Sequence, residues 1–181
     1  MRHKIQEVIA RSELLFDRVE IEHAIEHMAV KINKELHGQF PVFLTLMHGG
    51  MFFAAKLALE LGFDAEFDYL HATRYRGEMS GSGLAWLHRP ATIIEGRVVI
   101  LVDDILDEGH TLKAVRDWCE DQGAVKVKLA VMATKQHDRC VPGLKADYSG
   151  FNVPDRYVYG YGMDINEHGR NLPAIYALNE A

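Results

Sequence analysis

The chain is predicted to be an α/β protein built on a mostly parallel, twisted sheet flanked by helices, and three observations predict it. Runs of strand length, the nearly all-apolar "PVFLTLMH" (41–48) with "RVVILVDDI" (97–105) and "VKVKLAVMATK" (125–135), alternate with helical patterns, as strands of a mostly parallel sheet do. The first two runs pass through glycine-containing turns straight into the helical patterns "MFFAAKLALELG" and "EGHTLKAVRDWCEDQG", the strand–turn–helix unit of right-handed crossovers. The length of 181 residues and the 48% hydrophobic composition suffice for one domain with a sizeable core and do not promise two.

Taken in order, the first sixteen residues have a weak helical pattern and no assignable role. From Asp17 to His37 the apolar residues Val19, Ile21, Ala24, Ile25, Met28, Ala29, Ile32 and Leu36 keep a helical period, and Gly38 sits where a C-terminal cap belongs. The 41–48 strand and the 51–62 helix follow. "AEFDYLHATRY" (65–75) alternates as a strand and leads into "RGEMSGSG", whose glycines and serines predict a mobile stretch. "GLAWLHR" and 97–105 are strands, 108–123 a helix closed by Gly123, and 125–135 and "RYVYGYGM" (156–163) are the last strands predicted. No internal repeat or low-complexity segment breaks the chain.

Charge narrows the partners. A net charge of -6 and a pI near 5.9, without a run of five like charges, predict neither a nucleic-acid nor a membrane partner. The longest apolar stretches are broken by Lys, and "MRHKIQEVIARSELL" has no apolar signal core, so a cytoplasmic location is expected. Cys119 and Cys140 have neither metal-ligand spacing nor a disulfide-rich context and are expected to be reduced thiols.

In parallel sheets, ligands bind beyond the carboxyl ends of the strands. Three features converge there: the glycine pair after 41–48, the acids Asp103 and Asp104 after 98–102, and Lys135 after 126–134. Behind the acids, "DEGHT" (107–111) offers N–H groups at a helix N-terminus, a glycine for close approach and the Thr111 hydroxyl, a cradle suited to phosphate. The two upstream acids suit neighbouring hydroxyls or a cation between them and the phosphate. A phosphorylated sugar has both parts. The bland alternative is a strand end and a helix cap.

"VVILVDDILDEGHTL" (98–112) resembles the phosphoribosyl-pyrophosphate motif of type I phosphoribosyltransferases: four apolar residues, two acids, two apolar residues, then an acid and a phosphate turn ending in Thr. Neither a GxxxxGK[ST] loop nor a GxGxxG fingerprint occurs. The C-terminal "ADYSGFNVPDRYVYGYGMDINEHGRNLPAIYAL" resembles the hypoxanthine-guanine enzymes of that family. The resemblance implies a single phosphoribosyltransferase domain over 1–181, its core about 40–140 and a small hood built from about 1–16 and 145–181.

The resemblance also implies roles. Asp103 and Asp104 would hold the ribose hydroxyls, directly or through Mg2+, with Asp164 as a further magnesium ligand near the two-position of the base. Asp107, Glu108, Gly109, His110 and Thr111 would bind phosphate, and Asp107 would be the catalytic acceptor of the purine's imidazole-side proton. Met47, His48 and Gly49, with a cis peptide at Met47–His48, and Arg170 would meet pyrophosphate; His48 stands where many relatives have Lys or Ser. Lys135 would donate to the purine's exocyclic oxygen, Tyr157 would stack on the ring, and the Val158 backbone would read its oxygen and amide edge. Without the resemblance, the alternating Tyr157, Tyr159 and Tyr161 read as strand packing. The mobile stretch matches a loop that closes over the site, with Arg74 and Tyr75 at the place of the family's Ser-Tyr pair.

The implied reaction is purine salvage: a 6-oxopurine, hypoxanthine or guanine, displaces pyrophosphate from phosphoribosyl pyrophosphate with inversion, giving IMP or GMP. Relatives form homodimers or homotetramers, and the same is expected here. Xanthine preference is one alternative. The other is an RNA-binding regulator with the same fold, against which stand the acidic charge and the presence of Asp107.

Overall fold

The computed structural model describes residues 2–74 and 84–179. The chain runs α1 (Arg2–Ile9), β1 (Ser12–Phe16), α2 (Arg18–Leu36), β2 (Val42–Leu46), α3 (Met51–Leu59), β3 (Glu66–Arg74) and β4 (Leu84–His88). It continues through β5 (Val98–Leu106), α4 (His110–Asp121), β6 (Lys126–Lys135), β7 (Tyr148–Val153), β8 (Val158–Tyr159) and β9 (Ile175–Leu178). The expected glycine-serine stretch falls in residues 75–83, outside those described.

Six strands form the large sheet in the order β4-β3-β2-β5-β6-β7. Four of its five pairings are parallel, and the β3–β4 pairing is antiparallel. The apolar runs explain its middle. In β5, Ile100 and Val102 face the core that contains α2 and α3, while Val99 and Leu101 face the core that contains α4. A strand buried on both sides cannot alternate with polar residues, hence the near-continuous hydrophobicity.

Helix α2 starts one residue into the expected segment because Asp17 caps it. The Asp17 carboxylate accepts the Glu20 N–H, and the Glu20 carboxylate accepts the Asp17 N–H, closing a capping box. Ile21, Ile25, Met28, Ala29, Ile32 and Leu36 form the buried stripe, whereas Val19 in the first turn stays exposed.

The far end of α2 is tied to the sheet by Glu35. Its carboxylate accepts from Tyr148 Oη at 2.6 Å and pairs with Lys128 at 2.7 Å and Lys126 at 3.1 Å. Hydrogen bonds from Lys128 and Tyr148, opposed by burial, hold the Glu35 carboxyl down to about 2 from an ordinary 4.5. A depressed acid stabilises the fold above its unfolded pKa and loses that contribution as pH falls toward the folded value. Glu35→Gln is therefore expected to cost about 1 kcal/mol at pH 7, the partial exposure of the pair having been allowed for. Urea unfolding at pH 7 and pH 3 checks it: the gap between wild type and variant narrows at the lower pH.

A second sheet, β1-β9-β8, is antiparallel and joins the two ends of the chain, with Ser12 opposite Leu178 and Val158 opposite Ala177. The expectation for the first sixteen residues changes accordingly, since Ser12–Phe16 is a strand paired with Ile175–Leu178. Of the segment expected to form the hood with it, Tyr148–Val153 instead pairs with β6 in the large sheet. The predicted strand 156–163 shortens to Val158–Tyr159, because Gly160, Tyr161 and Gly162 all take positive φ, at 97°, 50° and 107°, and turn the chain out of extension. That break separates the three tyrosines. Tyr159 and Tyr161 are buried in the core, as packing predicts, while Tyr157 is 51% exposed.

Candidate active site

From the middle of the large sheet the chain moves outward in both directions, β2 to β3 to β4 on one side and β5 to β6 to β7 on the other. The gap between β2 and β5 is thus the topological switch point, where crossovers leave a crevice at the carboxyl ends of the strands. Residues 47–50 leave β2 there, and Asp103 to Asp107 lie at the end of β5 and just beyond it.

The peptide Met47–His48 is cis. Of the two glycines after it, Gly50 has no room for a side chain, because a Cβ would lie 2.8 Å from both the Leu46 and Val102 carbonyl oxygens. At Gly49 a Cβ would overlap the Asp104 carboxylate. Both glycines are needed for the β2 loop to lie directly against the acids of β5.

Asp103, partly buried, and Asp104, buried, stand next to each other in the cavity wall. Burial, then the neighbouring Asp104 charge, push the Asp103 carboxyl well up; burial also raises Asp104, against hydrogen bonding. The Asp104 N–H donates to Asp103 Oδ1 at 2.9 Å, and the Ile105 N–H donates to Asp104 Oδ1 at 2.7 Å. Each acid is locally oriented, yet the pair has more negative charge than its surroundings neutralise.

Asp107 does not cap α4. Gly109 occupies the cap position at φ 79°, and a Cβ there would come within 2.5 Å of Leu144. The Asp107 carboxylate instead accepts from Lys135 Nζ at 2.6 Å on Oδ2 and from His137 Nε2 at 2.6 Å on Oδ1. Burial pushes this carboxyl up, but the hydrogen bonds from Lys135 and His137, with the Lys135 charge, outweigh it and hold it below the usual range. Glu108 and His110 lie 3.6 Å apart across the same turn, and Thr111 is in the first turn of α4.

The C-terminal segment closes the site. Arg170 donates from Nη1 to the Gly162 carbonyl at 2.7 Å and pairs through Nη2 with Asp164 at 2.8 Å. The other Asp164 oxygen accepts the Glu167 N–H at 2.8 Å, and Tyr157 Oη donates to the Asp164 carbonyl at 3.2 Å. Arg170 and Asp164 therefore arrive as a pre-oriented pair.

Two adjoining cavities result. One, of about 450 Å³, is lined by Met47, His48, Gly49, Asp103, Asp104, Thr111 and Arg170, together with His71, Thr73 and Glu167. The other, of about 320 Å³, is lined by Asp104, Asp107, Lys135, Tyr157, Val158 and Asp164. Asp104 is common to both walls. Residues predicted from distant parts of the sequence thus meet at one crevice. Arg74 ends β3, and Tyr75 lies outside the described residues.

Sequence reasoning missed His71 and His137. The His71 ring meets His48 at 4.4 Å between centroids, edge to face, and burial, then His48 and Arg170, pull its pKa down. Its alternation along β3 allowed a choice of face but not of neighbours. His137 lies two residues past the end of β6, where no periodicity reaches.

Residues 13–166 match the model of the phosphoribosyl transferase domain. The hypoxanthine-guanine phosphoribosyltransferase of Streptococcus pneumoniae is 34% identical over 168 residues, 92% of this chain and 93% of that protein. Its counterpart in Lactococcus lactis is 33% identical over 170 residues, 93% and 92% of the two chains. Among solved structures, a hypoxanthine phosphoribosyltransferase from Staphylococcus aureus superposes with a TM-score of 0.86 at 25% identity, covering 92% of this chain and 91% of that one. A hypoxanthine-guanine-xanthine phosphoribosyltransferase gives 0.84 at 28% identity, with 93% and 97% covered. A domain match over most of the chain, whole-length relatives and the paired acids at the switch point lead to one conclusion: the chain belongs to the phosphoribosyl transferase domain family.

Proposed function

We propose that the protein transfers the 5-phosphoribosyl group from phosphoribosyl pyrophosphate to hypoxanthine or guanine, releasing pyrophosphate and giving IMP or GMP. The observation that carries this reading is the pair of adjoining cavities with Asp104 in both walls. The larger has acids and cations fit for a phosphorylated sugar. The smaller has an exposed tyrosine ring, a lysine and a carboxylate fit for a purine, and the bond to be made would lie between them.

Asp103 and Asp104 would bind the two ribose hydroxyls and fix the sugar. The Thr111 hydroxyl and the N–H groups at the start of α4, in the turn of Glu108, Gly109 and His110, would take the 5-phosphate. Arg170 and the backbone of Met47, His48 and Gly49 would face the pyrophosphate. Tyr157 would stack on the base, and the Val158 backbone would read its edge. Lys135 Nζ has three donors and no acceptor, so it suits the oxo group of a 6-oxopurine and not the amino group of adenine. Reaching the base requires it to leave Asp107, whose freed oxygen would then take the proton from the imidazole side of the purine. Arg74 and Tyr75 would belong to a loop closing over the crevice, which shields an oxocarbenium-like centre from water.

A magnesium ion fits the donor set: two adjacent, charge-frustrated carboxylates at Asp103 and Asp104, with Asp164 close enough to raise Asp104 further. Among the described residues no group of three His, Cys, Asp or Glu side chains is gathered as a metal site, so Asp164 does not join Asp103 and Asp104 in one ligand set; magnesium usually keeps several waters and binds through one or two carboxylates plus substrate phosphates. When bound, it would neutralise charge on the leaving pyrophosphate.

As to setting, no described helix is long and apolar enough to cross a membrane, and the proposed location is the cytoplasm. A homodimer or homotetramer is the proposed assembly, to which exposed residues such as Leu59, 82% exposed, would be open. The whole chain would be one domain, with the β1-β9-β8 sheet as a hood over the crevice.

Turnover measured with hypoxanthine, guanine, xanthine, adenine and uracil tests the reading. Hypoxanthine and guanine are expected to react, and adenine to fall by about 10- to 100-fold, because facing donor against donor costs about 1–3 kcal/mol. Equal turnover of adenine would remove Lys135 from base reading. Xanthine alone reacting would make this a xanthine enzyme.

A further inference from the structure

The side chain of His137 is 2% exposed and in direct contact with Asp107. Its two ring nitrogens have different partners. Nδ1 accepts the N–H of Arg139 at 3.1 Å, and Nε2 meets Asp107 Oδ1 at 2.6 Å. Because a backbone N–H cannot accept, Nδ1 is without a proton and Nε2 carries one, so the neutral imidazole donates to Asp107. The backbone therefore selects the tautomer, and the loop that does so is itself anchored: Arg139 forms a bidentate pair with Asp155 at 2.8 and 2.7 Å.

Asp107 thus has two donors of different kinds. Lys135 is a flexible chain that the smaller cavity also exposes to its contents. His137 is buried and fixed at both nitrogens. If Lys135 turns to the base, Asp107 retains His137 as its partner on Oδ1 while Oδ2 is left facing the cavity. We propose that His137 is a positioning residue of the transfer reaction, holding the Asp107 carboxylate in the rotation that presents Oδ2 to the purine and keeping it ionised while Lys135 is engaged elsewhere. This rests on the reading of Asp107 as proton acceptor.

Other charged and titratable groups face the pair. Lys135 comes from β6; Arg139 and Cys140 come from the following loop, Arg139 raised first by its hydrogen bond with Asp155 and Cys140 first by burial, with the Asp107 charge adding to each. Glu108 adjoins Asp107 in the chain, and Lys145 lines a cavity on the far side of Asp107 together with His137. Asp155 lies behind Arg139, and its carboxyl is lowered first by Arg139 and further by the Lys135 charge. Asp104 and Asp164 stand across the purine cavity. Of these, Lys135 and His137 donate hydrogen bonds to Asp107.

Two amide variants of different reach test the inference. Glutamine can place its NH2 group near the position of Nε2, whereas asparagine ends near Nδ1 and leaves Asp107 Oδ1 without a donor. His137→Asn is expected to lower kcat by on the order of 10- to 100-fold, the cost of a misplaced catalytic group, with little change in KM for phosphoribosyl pyrophosphate. The acid limb of its kcat–pH profile is expected at higher pH, since an anion that loses a donor is protonated more readily. His137→Gln is expected to restore both kcat and the limb. A carboxyl NMR titration of Asp107 in the same proteins reads its protonation without turnover and should shift in parallel.

Asparagine and glutamine variants with the same kcat and the same acid limb would overturn the inference, whether both were active or both inactive. If Asp107→Asn abolishes turnover while neither His137 variant alters the pH profile, only this inference fails. If Asp107→Asn is itself without effect, the reading of Asp107 fails instead.

Discussion

Replacing Asp107 by Asn is expected to lower kcat by about 10²- to 10⁴-fold, the range typical of a lost general base, while binding of phosphoribosyl pyrophosphate changes little. The substitution keeps the volume of the side chain and one acceptor oxygen, so the turn before α4 is expected to survive. It removes the negative charge that Lys135 and His137 stabilise at 2.6 Å each, and with it the group able to take the purine's proton. Since those hydrogen bonds outweigh burial and hold the carboxyl below the usual range, Asp107 stays ionised across neutral and mildly acidic pH. The acid limb of kcat/KM assigned to it is expected below the ordinary aspartate value in wild type and absent in Asp107→Asn. Steady-state kinetics as a function of pH with hypoxanthine checks both statements. A variant with wild-type kcat would take proton acceptance away from Asp107.

Replacing Asp103 or Asp104 by Asn gives the opposite sign in stability from activity. Burial raises both carboxyls, helped at Asp103 by the Asp104 charge and at Asp104 by the Asp164 charge, and an acid raised in the folded state costs nothing below its unfolded pKa but increasingly destabilises the fold as pH rises through the folded value. Without metal at pH 8, either Asn variant is expected to be more stable by about 1 kcal/mol, or about 2–4 °C in a chain of this size. Both retain the acceptor for the following N–H, at 2.9 Å in one case and 2.7 Å in the other. Magnesium should raise the wild-type melting temperature more at pH 8 than at pH 5, and raise that of the variants less. Turnover should fall in both, because the charges that destabilise the fold are those that would hold the sugar and the ion. Scanning calorimetry with and without magnesium, beside an activity assay, reads the trade-off. Variants less stable than wild type in metal-free buffer at pH 8 would contradict it.

The parallel core was legible because its strands are buried on both faces and write that fact locally, as in Val98 to Val102 with Ile100 and Leu101 in opposite clusters. The site was legible where chemistry sits at a strand end: Asp103, Asp104 and Lys135. The small sheet was not, since pairing Ser12 with Leu178 depends on segments too short and too far apart to leave a period. β7 was missed because "YSGFNV" carries a glycine and polar residues on its partly exposed edge strand. The Gly160–Gly162 break was misread as strand because alternation of aromatic residues says nothing about φ. His137 was invisible for another reason: its role comes from which nitrogen meets Arg139 and which meets Asp107, and that is a property of three-dimensional geometry.

One crevice is proposed to bring a phosphoribosyl donor and a 6-oxopurine together for transfer. Phosphorus NMR of the protein mixed with phosphoribosyl pyrophosphate, magnesium and hypoxanthine tests it most directly. The donor is expected to disappear while inorganic pyrophosphate and one nucleoside monophosphate grow in equal amounts. A donor that binds but persists, with no nucleotide formed from hypoxanthine, guanine or xanthine, would contradict it and leave the crevice as a sensor of the sugar phosphate.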